Sequence, residues 1–341
     1  MKILIFSDVH FKLYSSVPVF NKHSQNGITI ELERAIKSID FIKEQVEILQ
    51  PDLVICLGDY FHNLNINPNI VIATAVQKWN ELYQACKSQN SKLIILNGNH
   101  DIINSNSSMI DILVSDYQIK QSYQLDNIYF LPYSDKEDII RWSYEEAKAN
   151  PNINLILTHY DFVGYSYNRY EQITKGLIPT DAKLTISGHI HKPQLGKNFI
   201  YVGSLYQQSV SELSIELPNG ALLLTMNDGN WDYEFIENYY CGKIIGINLS
   251  NYDEIYSYDF QIDAIKLIVD ESNFSKLDKV LTELKEVAPV WTQSVISKKK
   301  DIARKEINID VNPNNILATY INHKYPEYKD FYEKYFVINK G

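Results

Sequence analysis

The sequence predicts a layered α/β domain, followed by a small α+β domain and a C-terminal helical segment. Three observations predict it. Short, β-branched, nearly all-apolar runs alternate with stretches whose apolar residues recur every three or four positions. Each of those runs ends in a polar motif. Beyond about residue 240 the pattern changes to isolated strand and helix signals.

The elements follow in order. Lys2–Ser7 ends at Asp8-Val9-His10, and Leu53–Leu57 ends at Gly58-Asp59-Tyr60-Phe61-His62. Leu93–Leu96 leads to Gly98-Asn99-His100-Asp101, Leu155–Thr158 to His159, and Leu184–Ser187 to Gly188-His189-Ile190-His191. Unbroken apolar runs suit strands buried on both faces. Between them, Leu32, Ala35, Ile36, Ile39, Ile42, Val46 and Leu49 mark one helix, which Pro51 stops. Ile72, Val76, Trp79, Tyr83 and Cys86 mark a second. The polar motifs thus sit at the carboxyl ends of strands, where open α/β sheets place their sites.

After His191, Phe199–Ser204 reads as a further strand. Ser214–Leu217, Ala221–Met226 and Trp231–Ile236 read as a meander, with turns at Pro218-Asn219-Gly220 and Asn227-Asp228-Gly229. A boundary falls near Tyr239–Gly242. A strand (Ile265–Val269), a helix (Ser275–Glu286) and a strand (Trp291–Ser297) follow it. Asn312-Pro313 then starts a helix with Ile316, Leu317, Tyr320 and Ile321 on one face, the spacing of an anchor lying in a partner's groove. The domains so drawn are 1–240, 241–306 and 307–341.

With 341 residues, 45% of them hydrophobic, the chain can bury a sizeable core. No apolar run approaches a membrane span, and the first residues read straight into a strand, so a soluble cytoplasmic protein is expected. Cys56, Cys86 and Cys241 form no paired pattern and predict neither a disulfide framework nor a zinc ribbon. A net charge of −10 argues against a free-standing nucleic-acid binder. It leaves a nuclease open, because two divalent cations bring about four positive charges to the site.

Six of the eight histidines lie inside the motifs, and only His23 and His323 lie outside. Asp8, His10, Asp59, Asn99, His159, His189 and His191 make a mixed nitrogen and oxygen donor set, better matched to Mn²⁺, Fe²⁺ or Zn²⁺ than to Ca²⁺. Two such cations about 3.5–4 Å apart can activate water and neutralise charge developing on phosphorus. Asp59 is the candidate bridge, one oxygen to each ion. His62 and His100 remain to donate a proton to phosphate or to the leaving oxygen. Lys298, Lys299, Lys300, Arg304 and Lys305 form a basic cluster, read either as phosphate-backbone contacts or as a solvated run.

D-x-H, G-D, G-N-H-D, the later His and G-H-x-H together resemble the calcineurin-like metallophosphoesterase superfamily over about residues 1–210. The resemblance implies a sandwich of β-sheets flanked by helices. Within the superfamily the chain is similar to the SbcD branch of DNA repair and recombination nuclease subunits, which includes phage small-subunit homologues. Gly-Asp-Tyr-Phe-His at 58–62 carries that likeness, as does Tyr201-Val202-Gly203-Ser204 after the G-H-x-H motif. The phosphatase pattern G-D-x-V-D-R-G is absent from the sequence.

The resemblance implies one ion held by Asp8, His10, Asp59 and His191, and a second held by Asp59, Asn99, His159 and His189. Mn²⁺ is the expected metal, with Mg²⁺, Fe²⁺ or Zn²⁺ as alternatives. His100 is implied in transition-state stabilisation or leaving-group protonation, and His62 in positioning the nucleotide. The small domain is implied as a cap over DNA. The C-terminal segment is implied as the grip on an SbcC-like coiled-coil ATPase, and a homodimer is compatible with the branch. The rival reading is a small-molecule phosphodiesterase or phosphatase on the same fold. A non-catalytic scaffold for DNA ends or a partner would lack a ligand or His100, and this sequence lacks neither.

Overall fold

The computed structural model describes residues 1–62, 68–104, 107–168, 170–214, 216–227, 230–270 and 276–295. The basic cluster at Lys298–Lys300, Arg304 and Lys305, and the C-terminal residues Ile316, Leu317, Tyr320 and Ile321, lie outside the described residues.

Strand β1 (Lys2–Phe6) is followed by α1 (Ile30–Leu49), β2 (Leu53–Cys56), α2 (Asn69–Ser88) and β3 (Lys92–Leu96). Next come β4 (Ile102–Asn104), β5 (Ser107–Ser108), β6 (Tyr117–Ile119), β7 (Tyr123–Leu125), β8 (Ile128–Leu131) and α3 (Glu137–Ala149). Then follow β9 (Leu155–Thr158), β10 (Leu184–Ser187), β11 (Gln194–Gly196), β12 (Phe199–Tyr201), β13 (Gly220–Asn227) and β14 (Asn230–Glu237). The last elements are β15 (Lys243–Asn248), β16 (Ile262–Asp270), α4 (Leu277–Lys285) and β17 (Val290–Val295).

Two six-stranded sheets form the centre, in the orders β14-β13-β1-β2-β3-β6 and β11-β12-β10-β9-β8-β7. Their inner faces share one core, in which Ile3, Ile5, Ile55, Ile94 and Leu96 meet Ile128, Phe130, Leu155, Leu157 and Ile186. On the outer face of the first sheet, Leu4, Phe6, Val54, Cys56, Leu93 and Ile95 pack with α1 and α2 residues such as Ile39, Ile42 and Trp79. Ile140 and Tyr144 of α3 cover the second sheet through Leu131 and Ile156. Successive strand residues point to opposite faces, so a strand between a helix layer and another sheet must be apolar at every position. That is why the runs show no alternation.

The first helix is capped by Thr29, whose hydroxyl accepts from the Leu32 N–H at 3.3 Å. It ends at Gln50, which takes a left-handed conformation just before Pro51.

The expected meander has two strands rather than three. Ser214, Glu216 and Leu217 are not in a strand. The Leu217 N–H is drawn back to the Ser214 hydroxyl at 3.2 Å, and Pro218 has no N–H to give a ladder.

Strands β15, β16 and β17 make a separate parallel sheet. Ile245, Ile247, Leu267, Val269, Val280 and Leu284 form its core, which Leu213 joins, and its Ile244 and Ala264 pack with Val17, Val19 and Phe20. Arg34 of α1 reaches it: Nε lies 3.1 Å from Asp263 Oδ2, and the guanidinium donates to the carbonyls of Gly242 and Gln207. Among the described residues no helix is long and apolar enough to cross a membrane. All three cysteines are free.

Candidate metal centre

The strands β1, β2 and β3 run parallel, as do β9 and β10. Their carboxyl ends converge, and the loops leaving them carry all nine predicted site residues of the first domain. Turning each loop sharply enough to aim a side chain at the common point requires unusual backbone. Asp8, His10, Asp59 and His189 all have positive φ, at 54°, 50°, 52° and 78°. Such conformations cost non-glycine residues about 1–3 kcal/mol each and persist where the surroundings impose them.

Here neighbouring strand ends impose them. The Asp8 N–H donates to the Gly58 carbonyl at 3.1 Å and the His10 N–H to the Asp59 carbonyl at 3.0 Å. Gly98 lies so close to Asp59 that a Cβ there would overlap the Asp59 side chain, so the G-N-H-D loop needs glycine at this place. Asp101 secures the same loops by accepting from the N–H groups of Asp59, Phe61 and Gly98 at 2.7, 3.0 and 3.0 Å. Burial, with Asp59 adding repulsion, pushes the Asp101 carboxyl up to about 7.

Three groups of donors result, two of them the predicted ion sets and the third His10 with His62 and His100. In the first, Asp8, His10 and His191 converge: Nε2 of His10 lies 3.7 Å from Asp8 Oδ1 and 3.0 Å from His191 Nε2. In the second, Asp59, His159 and His189 converge, joined by Asn99. Asn99 Oδ1 lies 2.8 Å from His189 Nδ1 and 3.2 Å from His159 Nε2.

Asp59 stands between the sets. Its Oδ2 is 3.5 Å from His10 Nε2 and 3.3 Å from His159 Nε2. Its Oδ1 accepts from the backbone N–H of His100 at 2.8 Å. The sequence reading gives each oxygen a different ion; the structure turns Oδ2 alone toward both sets.

The outer ring nitrogens of His159 and His191 are held by oxygens: Nδ1 of His159 is 2.9 Å from the Leu57 carbonyl and Nδ1 of His191 is 3.0 Å from Glu212 Oε1, while Nε2 of His189 lies 3.3 Å from Asp161 Oδ1 without a hydrogen bond. A partner of this kind fixes the tautomer and leaves the inward nitrogen lone pair free for a cation.

The chemistry of the donors fits divalent ions. Asp8 Oδ1 is buried and accepts no hydrogen bond, which in a completed site is a costly omission. Burial raises the Asp59 carboxyl, but His159 outweighs it and holds Asp59 below the usual carboxylate range. Burial likewise opposes the His159 proton, yet Asp59 lifts that imidazole to about 9. The pocket thus stabilises positive charge between Asp59 and His159. Burial pushes the His10 imidazole far below its ordinary value.

His62 and His100 flank the first set. Nδ1 of His62 is 3.2 Å from Nδ1 of His10, and the His62 and His100 rings stack at 5.2 Å with planes 12° apart. Nδ1 of His100 contacts the His62 carbonyl, which makes it the donor and leaves Nε2 pointing elsewhere. Burial lowers the His62 imidazole to about 4. A recess of about 190 Å³ opens against His189 and His191, walled by Tyr167, Asn168, Ser211 and Glu212.

The model of the calcineurin-like phosphoesterase family matches residues 1–193, more than half of the chain, and includes every predicted site residue from Asp8 to His191. The chain belongs to the calcineurin-like phosphoesterase family. This phosphoesterase is 26% identical over 247 residues to 244L of Invertebrate iridescent virus 6, itself named as a phosphoesterase, covering 67% of this chain and 77% of the relative.

Among solved structures, the E. coli phosphoesterase Yfce is similar over 70% of this chain and 100% of its own, with 17% identity and a TM-score of 0.32. A dimetal phosphatase from Danio rerio is similar over 70% and 96%, with 10% identity and a TM-score of 0.37.

Glu212, Asp161 and Gln208 were not marked by any motif. Gln208 donates to the Asp8 carbonyl at 2.9 Å, and Glu212 accepts from the Gln208 N–H at 2.8 Å while facing His191. Ser209-x-x-Glu212 is a capping box on the short helix Val210–Glu212, and that pattern was the one signal that could have found Glu212. Glu212→Ala in this phosphoesterase is expected to weaken divalent-ion affinity about 10- to 100-fold, with Glu212→Gln intermediate. Titration of the metal-stripped variants with Mn²⁺ by calorimetry checks it; wild-type affinity in both would remove the orienting role.

Proposed function

We propose that this phosphoesterase is a DNA nuclease, the catalytic subunit of an SbcCD-like end-processing complex. The observation that carries the reading is the placement of His62. The Gly-Asp-Tyr-Phe-His segment sets a second imidazole beside His10 and stacks it on His100. Two histidines thereby flank the phosphate position rather than one. That suits a phosphodiester whose two ester oxygens must be told apart.

The ions, Mn²⁺ in this reading, would be held by Asp8, His10, Asp59 and His191 and by Asp59, Asn99, His159 and His189. When bound they supply charge neutralisation on phosphorus and an activated water. His100, oriented by the His62 carbonyl, would give an Nε2 proton to the leaving oxygen from its doubly protonated form and return to the neutral ring with the proton on Nδ1. His62 binds the strand on the side away from His10. The β15–β17 sheet with α4 caps the nucleic acid, and the basic residues from Lys298 to Lys305 touch its backbone. The segment from Val311 onward docks on the ATPase.

The test is cleavage of end-labelled duplex DNA with Mn²⁺, with and without the coiled-coil ATPase. Expected are fragments that disappear in chelator and increase with the ATPase. Turnover of small phosphodiesters with intact DNA throughout would favour the small-molecule reading instead.

A further inference from the structure

We propose that Tyr133 and Tyr160 form a stacking platform that takes the nucleobase of the substrate beside the second donor set. The inference rests on the phosphodiesterase reading above and adds to it the part of the substrate that is recognised.

The rings are linked to the centre through His189. Tyr133 lies 6.2 Å from the His189 ring, centroid to centroid, with planes 30° apart. Tyr160 lies 5.9 Å from Tyr133, with planes 35° apart. In the reading above His189 and Asn99 would hold the second ion and so the phosphate beside it. A ring one contact from His189 is within the reach of the base on the same nucleotide.

The backbones of both tyrosines are held by the metal loops, and the Tyr160 ring also packs against the core cluster that includes Leu131 and Tyr144. The Tyr133 N–H donates to the Asn97 carbonyl at 2.9 Å, two residues before Asn99. Tyr160 follows His159 directly, and its N–H donates to the Ser187 hydroxyl at 3.2 Å, two residues before His189. The platform is thus fixed to the same loops as the ligands, as a rigid specificity element must be.

The hydroxyls separate these two residues from the tyrosines of the interior. Those of Tyr60, Tyr144, Tyr201 and Tyr206 are all engaged, with Ala75, Thr185, Tyr160 and Val9 as partners. Tyr133 and Tyr160 are half-buried, and their hydroxyls make no hydrogen bond to a described residue. A buried tyrosine usually finds its hydroxyl a partner, so these two are not sealed into the core. Aromatic faces along a phosphate site are what bases stack on, without regard to sequence.

The experiment compares kcat/KM for thymidine 5′-(p-nitrophenyl) phosphate with that for methyl p-nitrophenyl phosphate, in the full chain loaded with Mn²⁺. The wild type is expected to prefer the thymidine ester. Tyr133→Ala is expected to lower that preference about tenfold or more, mainly through KM, and Tyr133→Phe to retain it. Tyr133→Leu, which keeps apolar bulk without an aromatic face, guards against misfolding and should behave as Ala does.

A wild type without preference, or a preference unchanged in Ala and Leu, overturns the proposal. So does a preference lost equally in Phe. A purely structural role would lower both esters together and leave the ratio intact, which also overturns it. Duplex DNA assayed alongside separates the two readings. DNA left uncut with the thymidine preference present and lost in Tyr133→Ala removes the nuclease and keeps the platform. DNA cut with an unchanged ratio does the reverse.

Discussion

Asp59→Ala is expected to give a folded protein that retains neither ion and hydrolyses no phosphate ester. Asp59 Oδ2 is the atom within 3.5 Å of both His10 and His159, so its loss withdraws a donor from both sets at once. The residual sets, two imidazoles with Asp8 or two imidazoles with Asn99, have one donor fewer and less negative charge. The loop itself should survive, because Asp101 holds it through the backbone N–H of residue 59. Alanine is strained at a φ of 52°, so Asp59→Asn, which tolerates that conformation, is the companion variant. Elemental analysis after gel filtration measures the result. Full metal content in a folded Ala variant would show that the sets bind independently and would end the bridging assignment.

His100→Ala is expected to keep both ions and lose about 10²–10⁴ in kcat, the usual worth of a general acid. The geometry isolates the ring's contribution. The backbone N–H of His100 holds Asp59 Oδ1 at 2.8 Å, and alanine preserves that bond. What disappears is the imidazole whose Nδ1 is committed to the His62 carbonyl. Single-turnover kinetics at saturating substrate, with metal content measured on the same sample, distinguish the outcomes. Turnover at the wild-type rate would make His100 a spacer beside Asn99. A matching loss of metal would make it part of ion binding.

Much of this was legible because the chemistry is written at strand ends. A strand buried on both faces must be largely apolar, so the first few polar residues after it mark both its end and the site. Asp8, Asp59, Asn99, His159 and His189 are all found this way. Glu212, Asp161 and Gln208 are not. They come from loops whose conformation depends on distant partners, and no periodicity announces them. Strand β15 has no counterpart in the sequence reading, since Lys243–Asn248 has one glycine and no flanking turn signal of the hairpin type. Helix α3 was missed because its apolar face is narrow, with Ile140, Tyr144 and Ala147 buried among charged neighbours. Leu217 failed as a strand for the opposite reason, where a local serine outcompeted a ladder partner.

Each donor set draws on both sheets. Asp8, His10, Asp59 and Asn99 leave β1, β2 and β3, whereas His159, His189 and His191 leave β9 and β10. An ion in either set is therefore a cross-brace between two layers joined inside by apolar packing and at the rim by a few hydrogen bonds, such as Tyr133 N–H to the Asn97 carbonyl. Shifting one sheet against the other would disturb that packing and would also pull the donors apart. Binding and layer registry become reciprocally coupled. An ion at 100 times its dissociation constant adds about 2.7 kcal/mol to the folded state. By the same coupling, a cavity cut deep in the intersheet core, at Leu157 or Ile94, would be felt as weaker ion binding at the rim.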